Sequence, residues 1–413
     1  NTKSGPITYT INYTGAAAIT LAQSDITLVS TGTANGDIAV TGTGTTSRTV
    51  TISNTSGDGT LGIQIAAATS SDAAGNSDTG PADSGIFTVD NTAPVVTVNG
   101  QTTMDTTPLI TGTLDGEVSS VVVVVNGQNT VATHNASSWS ATIANVLPEG
   151  SYDVSVTAID LVGNAGTDSS TDELVVDLTA PGLSISAPSA TITATTDISF
   201  DITYGNADNI TLTAGDISID STGTAVGNVA VTGSGNVRTV TLSNISGDGT
   251  LGITVAANTA DDLAGNQAAG ATSATFTVDN TAPVVTVDSL LTNNTTPTLT
   301  GTVDDANATI QVTVDGQVLS ATNNGSTWSV DVPVALTENI YDVSVSATDA
   351  VNNTGNDSST NELDIDLTAP TVAISAPSAT ATSSADVSYT LTYSNADTVT
   401  LNNADITVNT TGT

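Results

Sequence analysis

The chain has 413 residues, with 3 Lys and Arg against 41 Asp and Glu, and a formal net charge of −38. Nucleic acid and anionic membranes both attract positive charge, so this composition excludes them as partners and favours cations. The absence of Cys excludes a disulfide framework and thiolate chemistry. No apolar run approaches the roughly 18 residues of a membrane span, so we expect no membrane insertion of this segment.

Two related pentapeptides recur along the chain at a fixed spacing. The sequence DNTAP at residues 90–94 returns at 279–283, and DLTAP at residues 177–181 returns at 366–370. Both returns come after 189 residues. Self-similarity at a fixed long period predicts a tandem array, here with two alternating module types.

These markers divide the chain into modules of about 90 to 100 residues, each large enough for one hydrophobic core. The predicted modules are 1–90 (type A), 91–177 (type B), 178–279 (type A), 280–366 (type B) and a partial type A module at 367–413. The opening module lacks a counterpart of the segment 183–188, which predicts that its first strand is missing, and the closing module stops at Thr413. We interpret the chain as part of a longer array.

Regular alternation of β-forming residues indicates strands throughout. Asn126-Gly127 and Asp315-Gly316 lie between strand-like runs and each predict a two-residue hairpin, because both turn residues need positive φ. Alternation predicts strands at Tyr152–Val156, Ile198–Tyr204 and Thr239–Leu242, with turn residues about every 8 to 12 positions. Helical periodicity is absent. The sequence therefore predicts an all-β fold, a tandem array of β-sandwich domains forming an elongated rod.

Short motifs in both module types carry a family resemblance. The type B segments Trp139-Ser140, Tyr152–Val156 and Asp160–Asn164 resemble the bacterial Ig-like domains that repeat in giant RTX-type adhesins and biofilm proteins. The type A segments Gly247–Gly252 and Asp262–Asn266 resemble a second Ig-like repeat of the same surface proteins. The resemblance implies Ig-like sandwiches, a role in cell adhesion and an extracellular location on the bacterial surface.

Four aromatic and apolar residues fit that fold independently. Tyr152 stands at the start of a strand with Val154 two positions on, which predicts a tyrosine corner beside a buried apolar residue. Trp139 and Trp328 are the only tryptophans. We interpret both as core anchors rather than sugar-binding platforms, because aromatic residues are only 3% of the chain.

The linker acids predict a calcium site. In an Ig-like sandwich the linker entering a module lies at the same pole as two of its loops. Asp90 would then meet Asp115 and Glu117 of one loop and Asp160 and Asn164 of the other. Converging carboxylates repel unless a cation binds, and Ca²⁺ takes six to eight oxygens from carboxylates, amides and backbone. We therefore expect Ca²⁺ at the linkers.

The same arrangement is predicted at the other junctions. Asp177 would meet Asp208, Asp261, Asp262 and Asn266; Asp279 would meet Asp304, Asp305, Asp349 and Asn353; Asp366 would face Asp397 in a cut module; and Asp72 with Asn76 remain in the opening module without a preceding linker. The alternative interpretation is that Asp-x-x-Gly-Asn is only a favourable turn sequence, because Asp, Asn and Gly all favour turns.

Catalytic constellations are not evident. His134 is the only histidine and has no counterpart in the second type B module. The paired carboxylates repeat with the modules, whereas a glycosidase needs one pair in one cleft. Lysine–asparagine crosslinks would need a Lys in each module, and Lys3 is the only lysine. The sequence predicts a protein that is not an enzyme.

The function predicted is a structural extender of a large bacterial surface adhesin or fibre, rigidified by Ca²⁺ at its linkers and projecting a distal ligand-binding region. Its partners would be calcium ions and neighbouring repeats of the same chain. Two alternatives stay open. One is a subunit of a self-assembling filament or surface layer, in which an identical chain supplies a strand. The other is a carbohydrate-binding Ig-like array.

Overall fold

The computed structural model describes residues 1–383 and 385–411. Residues 384 and 412–413, in the last predicted module, lie outside the described residues. The chain divides into two compact units. Unit 1 comprises Asn1–Ser184, Thr203–Leu212 and Ala256–Ala271, and unit 2 comprises Ile185–Ile202, Thr213–Val255 and Thr272–Thr413. This division cuts through residues 178–279, and the module bounds drawn from the sequence stay a prediction.

Strands dominate the described chain, as the alternation of Thr with Val, Ile and Leu predicts. The first twenty are β1 (Ile7–Asn12), β2 (Ala18–Ile19), β3 (Ile26–Ser30), β4 (Asn35–Thr41), β5 (Ser47–Ser56), β6 (Gly59–Ile65), β7 (Ser70–Ser71), β8 (Ala82–Asp83), β9 (Phe87–Val89), β10 (Val96–Val98), β11 (Gln101–Thr103), β12 (Leu109–Leu114), β13 (Val118–Val125), β14 (Gln128–Val131), β15 (Thr133–His134), β16 (Ser138–Thr142), β17 (Gly150–Tyr152), β18 (Val154–Asp160), β19 (Ala165–Asp168) and β20 (Leu174–Val176).

The remaining strands are β21 (Gly182–Ile185), β22 (Ile192–Thr193), β23 (Ile198–Gly205), β24 (Asn209–Ile210), β25 (Ile217–Ser221), β26 (Val226–Thr232), β27 (Val237–Ser246), β28 (Gly249–Val255), β29 (Ala260–Asp261), β30 (Ala271–Thr272), β31 (Phe276–Val278), β32 (Leu290–Thr292), β33 (Thr298–Thr302), β34 (Thr309–Val314), β35 (Gln317–Asn323), β36 (Thr327–Asp331), β37 (Asn339–Tyr341), β38 (Val343–Thr348), β39 (Thr354–Asp357), β40 (Leu363–Ile365), β41 (Thr371–Ile374) and β42 (Leu391–Ser394). Helical turns among the described residues are three short 3₁₀ segments, Gln23–Asp25, Ala214–Asp216 and Asn403–Asp405.

Unit 1 contains two successive sandwiches. The first pairs β1, β5 and β4 in one sheet and joins β3, β8 and β9 to β6 in the other. The second contains the sheets β10-β12-β16-β15 and β14-β13-β18-β19, together with β11-β20-β17. Strand β11 runs parallel to β20, the last strand of this sandwich. That parallel pairing brings the end of β11 beside the start of the linker at Asp177.

Unit 2 repeats these arrangements. Strands β25, β28, β31 and β22 form one path, with β22 parallel to β31. Strands β33-β36-β35-β34-β38-β39 form another sheet, and β32 runs parallel to β40 in the sheet β32-β40-β37. Strand β41 pairs antiparallel with β42. The parallel edge pairs β22–β31 and β32–β40 again end at linker aspartates.

Among the described residues, separate clusters of buried apolar side chains form cores. Three of these clusters span residues 21–89, 96–176 and 285–365. In the second cluster Trp139 is 2% exposed and Val154 is fully buried, and in the third Trp328 is fully buried. The indole nitrogen of Trp139 donates to the Thr97 carbonyl at 3.0 Å. The prediction that both tryptophans anchor cores is confirmed.

The local predictions for type B modules are also confirmed. Asn126-Gly127 joins β13 to β14 with φ of 47° and 74°, and Asp315-Gly316 joins β34 to β35 with φ of 48° and 75°. The Tyr152 hydroxyl donates to the Pro148 carbonyl at 2.7 Å, and its repeat partner Tyr341 donates to Thr337 at 3.0 Å. These bonds are the tyrosine corners that the sequence predicts.

Candidate functional site

The linker pentapeptide folds on itself through its aspartate. In each copy, a carboxylate oxygen of the Asp accepts a hydrogen bond from the backbone amide of the Thr two positions on. The distances are 3.2 Å for Thr92 to Asp90, 2.9 Å for Thr179 to Asp177, 3.1 Å for Thr281 to Asp279 and 2.9 Å for Thr368 to Asp366. This is an Asx turn, and it explains why the motif needs Asp at this position.

The backbone amide of the same aspartate bonds to the preceding module. It donates to the last residue of the parallel edge segment that lies beside it. The four bonds are Asp90 to Thr2 (3.2 Å), Asp177 to Thr103 (3.0 Å), Asp279 to Thr193 (2.9 Å) and Asp366 to Thr292 (3.1 Å). Each linker is therefore tied to the module that it leaves.

The backbone carbonyl of the aspartate bonds to the module that follows. It accepts a hydrogen bond from the side-chain amide of an asparagine in the Asp-x-x-Gly-Asn loop or its variant. The distances are 3.0 Å for Asn164 to Asp90, 2.8 Å for Asn266 to Asp177 and 2.9 Å for Asn353 to Asp279. We call this Asn, together with its partner Asp four positions earlier, the clasp. The backbone of one aspartate is thus bonded to both modules, through its amide on one side and its carbonyl on the other.

The clasp is preorganised by its own aspartate. Asp160 accepts from the backbone amides of Val162 and Asn164, both at 2.8 Å, and from the Asn164 side chain at 2.7 Å. Asp160 and Asn164 are only 8% and 3% exposed. Burial acts to raise the pKa of Asp160, but the hydrogen bonds from Asn164 and the loop amides outweigh it, so this pKa lies below its ordinary value. The carboxylate stays charged and holds the amide toward the linker.

The loop geometry explains the residue between the clasp partners. Gly163 has a φ of 95°, and Asn352, at the same place in the second type B module, has a φ of 72°. Asn tolerates the left-handed region better than other side chains, so its replacement of Gly leaves the clasp of Asp349 and Asn353 intact at 2.8 Å.

The linkers that leave type A modules, residues 90–94 and 279–283, make further bonds to a hairpin. We call them A-to-B linkers. Asp58 accepts from the Asn91 amide at 2.7 Å and the Thr92 hydroxyl at 2.9 Å, and the Asn91 side chain donates to Gly57 at 2.9 Å. The Asn91 amide and then the Thr92 hydroxyl lower the pKa of Asp58. In the same way, Asp248 accepts a hydrogen bond from the Asn280 backbone amide at 2.6 Å.

The linkers that leave type B modules, residues 177–181 and 366–370, are held differently. We call them B-to-A linkers. The Thr179 hydroxyl donates to Glu149 at 2.8 Å, and Thr368 donates to Glu338 at 2.6 Å. Leucine replaces asparagine at the second position, and Leu178 is 45% exposed. At this junction a backbone bond of 3.2 Å also runs from Met104 to Ala264, the latter in the next clasp loop.

Several of the predicted calcium ligands do lie at the junctions. The structure brings Asp90 to Asn164 and Asp160, Asp177 to Asn266 and Asp262, and Asp279 to Asn353 and Asp349. Asp115 and Asp304 accept from the amides of Val95 and Val284, each directly after a linker proline, at 2.8 and 2.7 Å. In the two type B modules the linker segment therefore contacts both loops. One contact runs from a backbone amide to a carboxylate, and the other from an asparagine side chain to a backbone carbonyl.

Other predicted ligands have different partners. Asp208 accepts from the Leu263 amide, Asp261 from Asn209, Asp305 from Asn307 and Asp72 from Asn76. Within the described residues, Glu117 and Asp397 make no hydrogen bond, and none joins Asp366 to Asp397. Across that same part of the chain, no three acidic, His or Cys side chains group so as to hold a metal ion. The linker aspartates turn their carboxylates back onto their own Thr, and calcium binding stays a prediction.

Three pairs of acidic residues at the junctions or in the sandwiches were not predicted from the sequence. Asp58 and Asp248 lie in a Gly-Asp-Gly motif of the type A modules, and its exact repetition was the available signal. Glu149 and Glu338 follow a proline or a threonine and carry no motif. Glu173 and Glu362 are 9% and 4% exposed. One oxygen of each accepts from the amide that opens β18 or β38, at 3.0 and 2.9 Å, and the other oxygen has no partner among the described residues.

Paired antiparallel sheets, a parallel edge strand, tyrosine corners and buried tryptophans define an Ig-like β-sandwich protein. Residues 96–179 and 285–368 both match the family model described as Bacterial Ig-like domain, and residues 138–243 match Bacterial Ig-like domain (group 3). The chain is a bacterial Ig-like repeat protein. Among curated proteins, none matches it significantly.

Solved structures with similarity include animal and bacterial proteins. The fibronectin(III)-like modules of Clostridium thermocellum CbhA are 14% identical, with 45% of this chain and 94% of theirs covered and a TM-score of 0.24. Chimeric titin Z1Z2 is 15% identical, with 46% and 98% covered and a TM-score of 0.23. The human Desmocollin-1 ectodomain is 11% identical, with 83% and 72% covered and a TM-score of 0.21.

The family sets the general role. Tandem bacterial Ig-like domains indicate a structural or extending role, and such domains are typical of surface or extracellular proteins and are typically non-catalytic. In the part of the chain that the structure describes, no helix is both long enough and apolar enough to span a membrane.

Proposed function

We propose that this chain is a structural, non-catalytic extender of a large bacterial surface adhesin or fibre, and that hydrogen bonds at its linkers restrain bending between modules. The observation that carries the proposal is the double attachment of each linker aspartate. Its amide bonds to the module before it, and at three junctions its carbonyl bonds to the module after it. A linker bonded only on one side would leave the next module free to pivot.

The number of bonds supports a mechanical role. A single hydrogen bond contributes about 0.5–1.5 kcal/mol net, so one bond alone would restrain a linker weakly. Each complete junction combines the Asx turn, the bond backward to the edge segment and the clasp forward to the next loop. The proline that ends the pentapeptide, four residues after the Asp, also fixes its own φ at about −65°. Together these leave few backbone torsions free in the linker.

A triple variant of the full chain tests the proposal. Asn164→Ala, Asn266→Ala and Asn353→Ala together remove the forward attachment at every complete junction. We expect small-angle scattering to give a broader distribution of dimensions than for the unchanged protein. The control is Asn76→Ala, because the Asn76 side chain makes the equivalent bond to its own Asp72, at 2.9 Å, and bonds to no linker carbonyl within the described residues. Identical scattering from the triple variant and the unchanged protein would overturn the proposal.

Calcium at the linkers is a separate part of the proposal, and the same measurement tests it. If Ca²⁺ contributes, chelation should broaden the dimensions of the unchanged protein, and sodium chloride at matched ionic strength should not restore them. Calorimetry should then show binding that weakens in Asp90→Ala and Asp160→Ala. If chelation changes nothing, the hydrogen bonds alone restrain the linkers. Sedimentation and glycan binding of the pure protein test the filament and carbohydrate-binding alternatives.

A further inference from the structure

One tight turn occurs at the same place in both units and carries different residues. In unit 1 the Gly5 amide donates to the Thr2 hydroxyl at 2.9 Å, and in unit 2 the Thr196 amide donates to the Thr193 hydroxyl at 2.9 Å. The carbonyls of Thr2 and Thr193 both accept the amide of a linker aspartate. The residue after each Thr is therefore equivalent, and it is Lys3 in unit 1 and Ala194 in unit 2.

Lys3 extends across the junction in unit 1. Its ammonium nitrogen lies 3.4 Å from the carbonyl oxygen of Gly163, inside the clasp loop of the next module. The distance is longer than the usual range of about 2.7–3.2 Å for an N–H···O hydrogen bond, so the contact is weak, but it places a primary ammonium between the turn and the clasp loop. The fold therefore has a position there that receives a cation of this shape.

Ala194 is too short to make this contact in unit 2. A groove of about 680 Å³ lies at the equivalent place, between the segment Ser189–Ile198 and the loop residues Ala350–Asn353. Asn352, the counterpart of Gly163, lines it. The other lining residues include Thr195, Thr196 and Asp197, whose side chains carry hydroxyl and carboxylate oxygens. Among the described residues, Asp197 has no hydrogen-bond partner.

We propose that this groove in unit 2 binds a primary ammonium group from another molecule, such as an alkylamine or the side chain of a lysine. An ammonium has three donors and no acceptor, and it suits a site built from carbonyl, hydroxyl and carboxylate oxygens. The formal net charge of −38 attracts cations to the chain. The groove contains one carboxylate, Asp197, whereas Ca²⁺ prefers several, so an organic cation fits this set better.

Two single variants of the full chain test the assignment by stoichiometry. Ala194→Lys gives unit 2 the side chain that unit 1 already has, so its own ammonium should occupy the groove. Lys3→Ala removes the ammonium from unit 1, where Pro6 takes the place of Asp197, so it opens no carboxylate-containing site and is the control. We titrate n-butylammonium and follow the backbone amide signals of Ala194, Val351 and Asn353 by NMR. The unchanged protein and Lys3→Ala should each bind one equivalent there, and Ala194→Lys should bind about tenfold more weakly.

Matched ligands separate the sources and the competing explanations. Tetramethylammonium has the same charge but no donor, so it should shift these signals much less than n-butylammonium. Nα-acetyl-lysine methylamide should bind like n-butylammonium if a lysine side chain is the source, and weaker binding would favour a free amine. Unchanged affinity in Ala194→Lys, with a native amide spectrum, would overturn the proposal, as would equal shifts from tetramethylammonium. Saturation by Ca²⁺ alone would instead identify a metal site.

Discussion

The two kinds of linker differ at one position, and that position decides how firmly the linker is held to the module it leaves. In the A-to-B linker, Asn91 donates through its backbone to Asp58 and through its side chain to Gly57. In the B-to-A linker, Leu178 has no side-chain donor. Beside the backbone bond from Asp177 to Thr103, which both linker types share in kind, this end is attached by the bond from Thr179 to Glu149. The forward clasp is the same in both.

The difference shows how an alternating array acquires two kinds of joint without changing its linker length. The Asx turn, the backward backbone bond and the clasp are shared, so both linkers have the same course. The additional bonds to the Gly-Asp-Gly hairpin are present only where position two is Asn. We therefore expect A-to-B joints to be the stiffer ones and bending to concentrate at B-to-A joints.

The largest expected effect comes from removing the clasp at each joint in turn. Asn266→Ala and Asn164→Ala each leave a clasp carboxylate oxygen without its partner, which costs about 1–3 kcal/mol. Asn266→Ala should loosen its linker more than Asn164→Ala, because the B-to-A linker keeps fewer other bonds. Hydrogen exchange of the linker amides Thr179 and Thr92, measured by mass spectrometry, checks this order.

Asn76→Ala is the control for that pair of variants. It alters the equivalent loop of the opening module, where the Asn side chain bonds to no linker carbonyl within the described residues. It should change exchange within its own loop and leave both linkers as protected as before. Equal loosening by Asn164→Ala and Asn266→Ala would mean that the hairpin bonds add nothing to the joint.

The second effect concerns the acidic residues that bond the linker to the module it leaves. Asp58→Ala removes the acceptor of both the Asn91 amide and the Thr92 hydroxyl, whereas Glu149→Ala removes the acceptor of the Thr179 hydroxyl alone. We expect exchange of the Asn91 amide to become clearly faster in Asp58→Ala and a smaller change at Thr179 in Glu149→Ala. Because Glu149 is exposed and Asp58 is only half-buried, and neither belongs to a core, neither variant should shift the melting temperature of the sandwich cores. A larger effect of Glu149→Ala would reverse the assignment of the stiffer joint.

The fold was predictable because it depends on local and repeated signals. Asn126-Gly127 predicts its hairpin because these two residue types accept the positive φ that a two-residue turn needs. Tyr152 followed by Val154 predicts a tyrosine corner, because its packing and its hydroxyl bond are both local. The 189-residue spacing predicts the array. These features need no knowledge of which distant residues meet.

The chemistry of the junction was predictable only in part. The sequence placed Asp90, Asp160 and Asn164 together, because the two poles of a sandwich are fixed by its topology. It could not show that Asn164 donates to a backbone carbonyl, since the sequence does not record which way an amide points. It also gave no reason to bring Asp58 to Asn91, a contact 33 residues apart that depends on the course of the last strand.

A smaller change converts one linker type into the other. Asn91→Leu keeps the backbone amide that bonds to Asp58 and removes only the side-chain bond to Gly57. At this exposed position we expect a loss of about 0.5 kcal/mol, the low end for a hydrogen bond. Exchange at Thr92 should move toward the value at Thr179. Leu178→Asn, the reverse change, should have no stabilising effect, because the type B module has no Gly-Asp-Gly hairpin beside it.

The smallest expected effect is a pH dependence confined to the A-to-B joint. The Asn91 amide, followed by the Thr92 hydroxyl, lowers the pKa of Asp58, so the charged form is favoured in the bonded linker. A group whose pKa is lowered on bonding stabilises the bonded form fully above its ordinary pKa, about 3.9 for Asp, and loses that contribution as the pH falls through the lowered value. NMR titration should therefore show the Asn91 amide signal constant from neutral pH to about pH 4 and shifting only in stronger acid. Asp72, whose pKa is lowered chiefly by the Asn76 side chain, provides an internal reference without a linker. In Asn91→Leu the shift should persist, because the backbone amide remains, whereas Asp58→Ala should abolish it. An acid shift of Asn91 that survives in Asp58→Ala would assign the titration to another carboxylate.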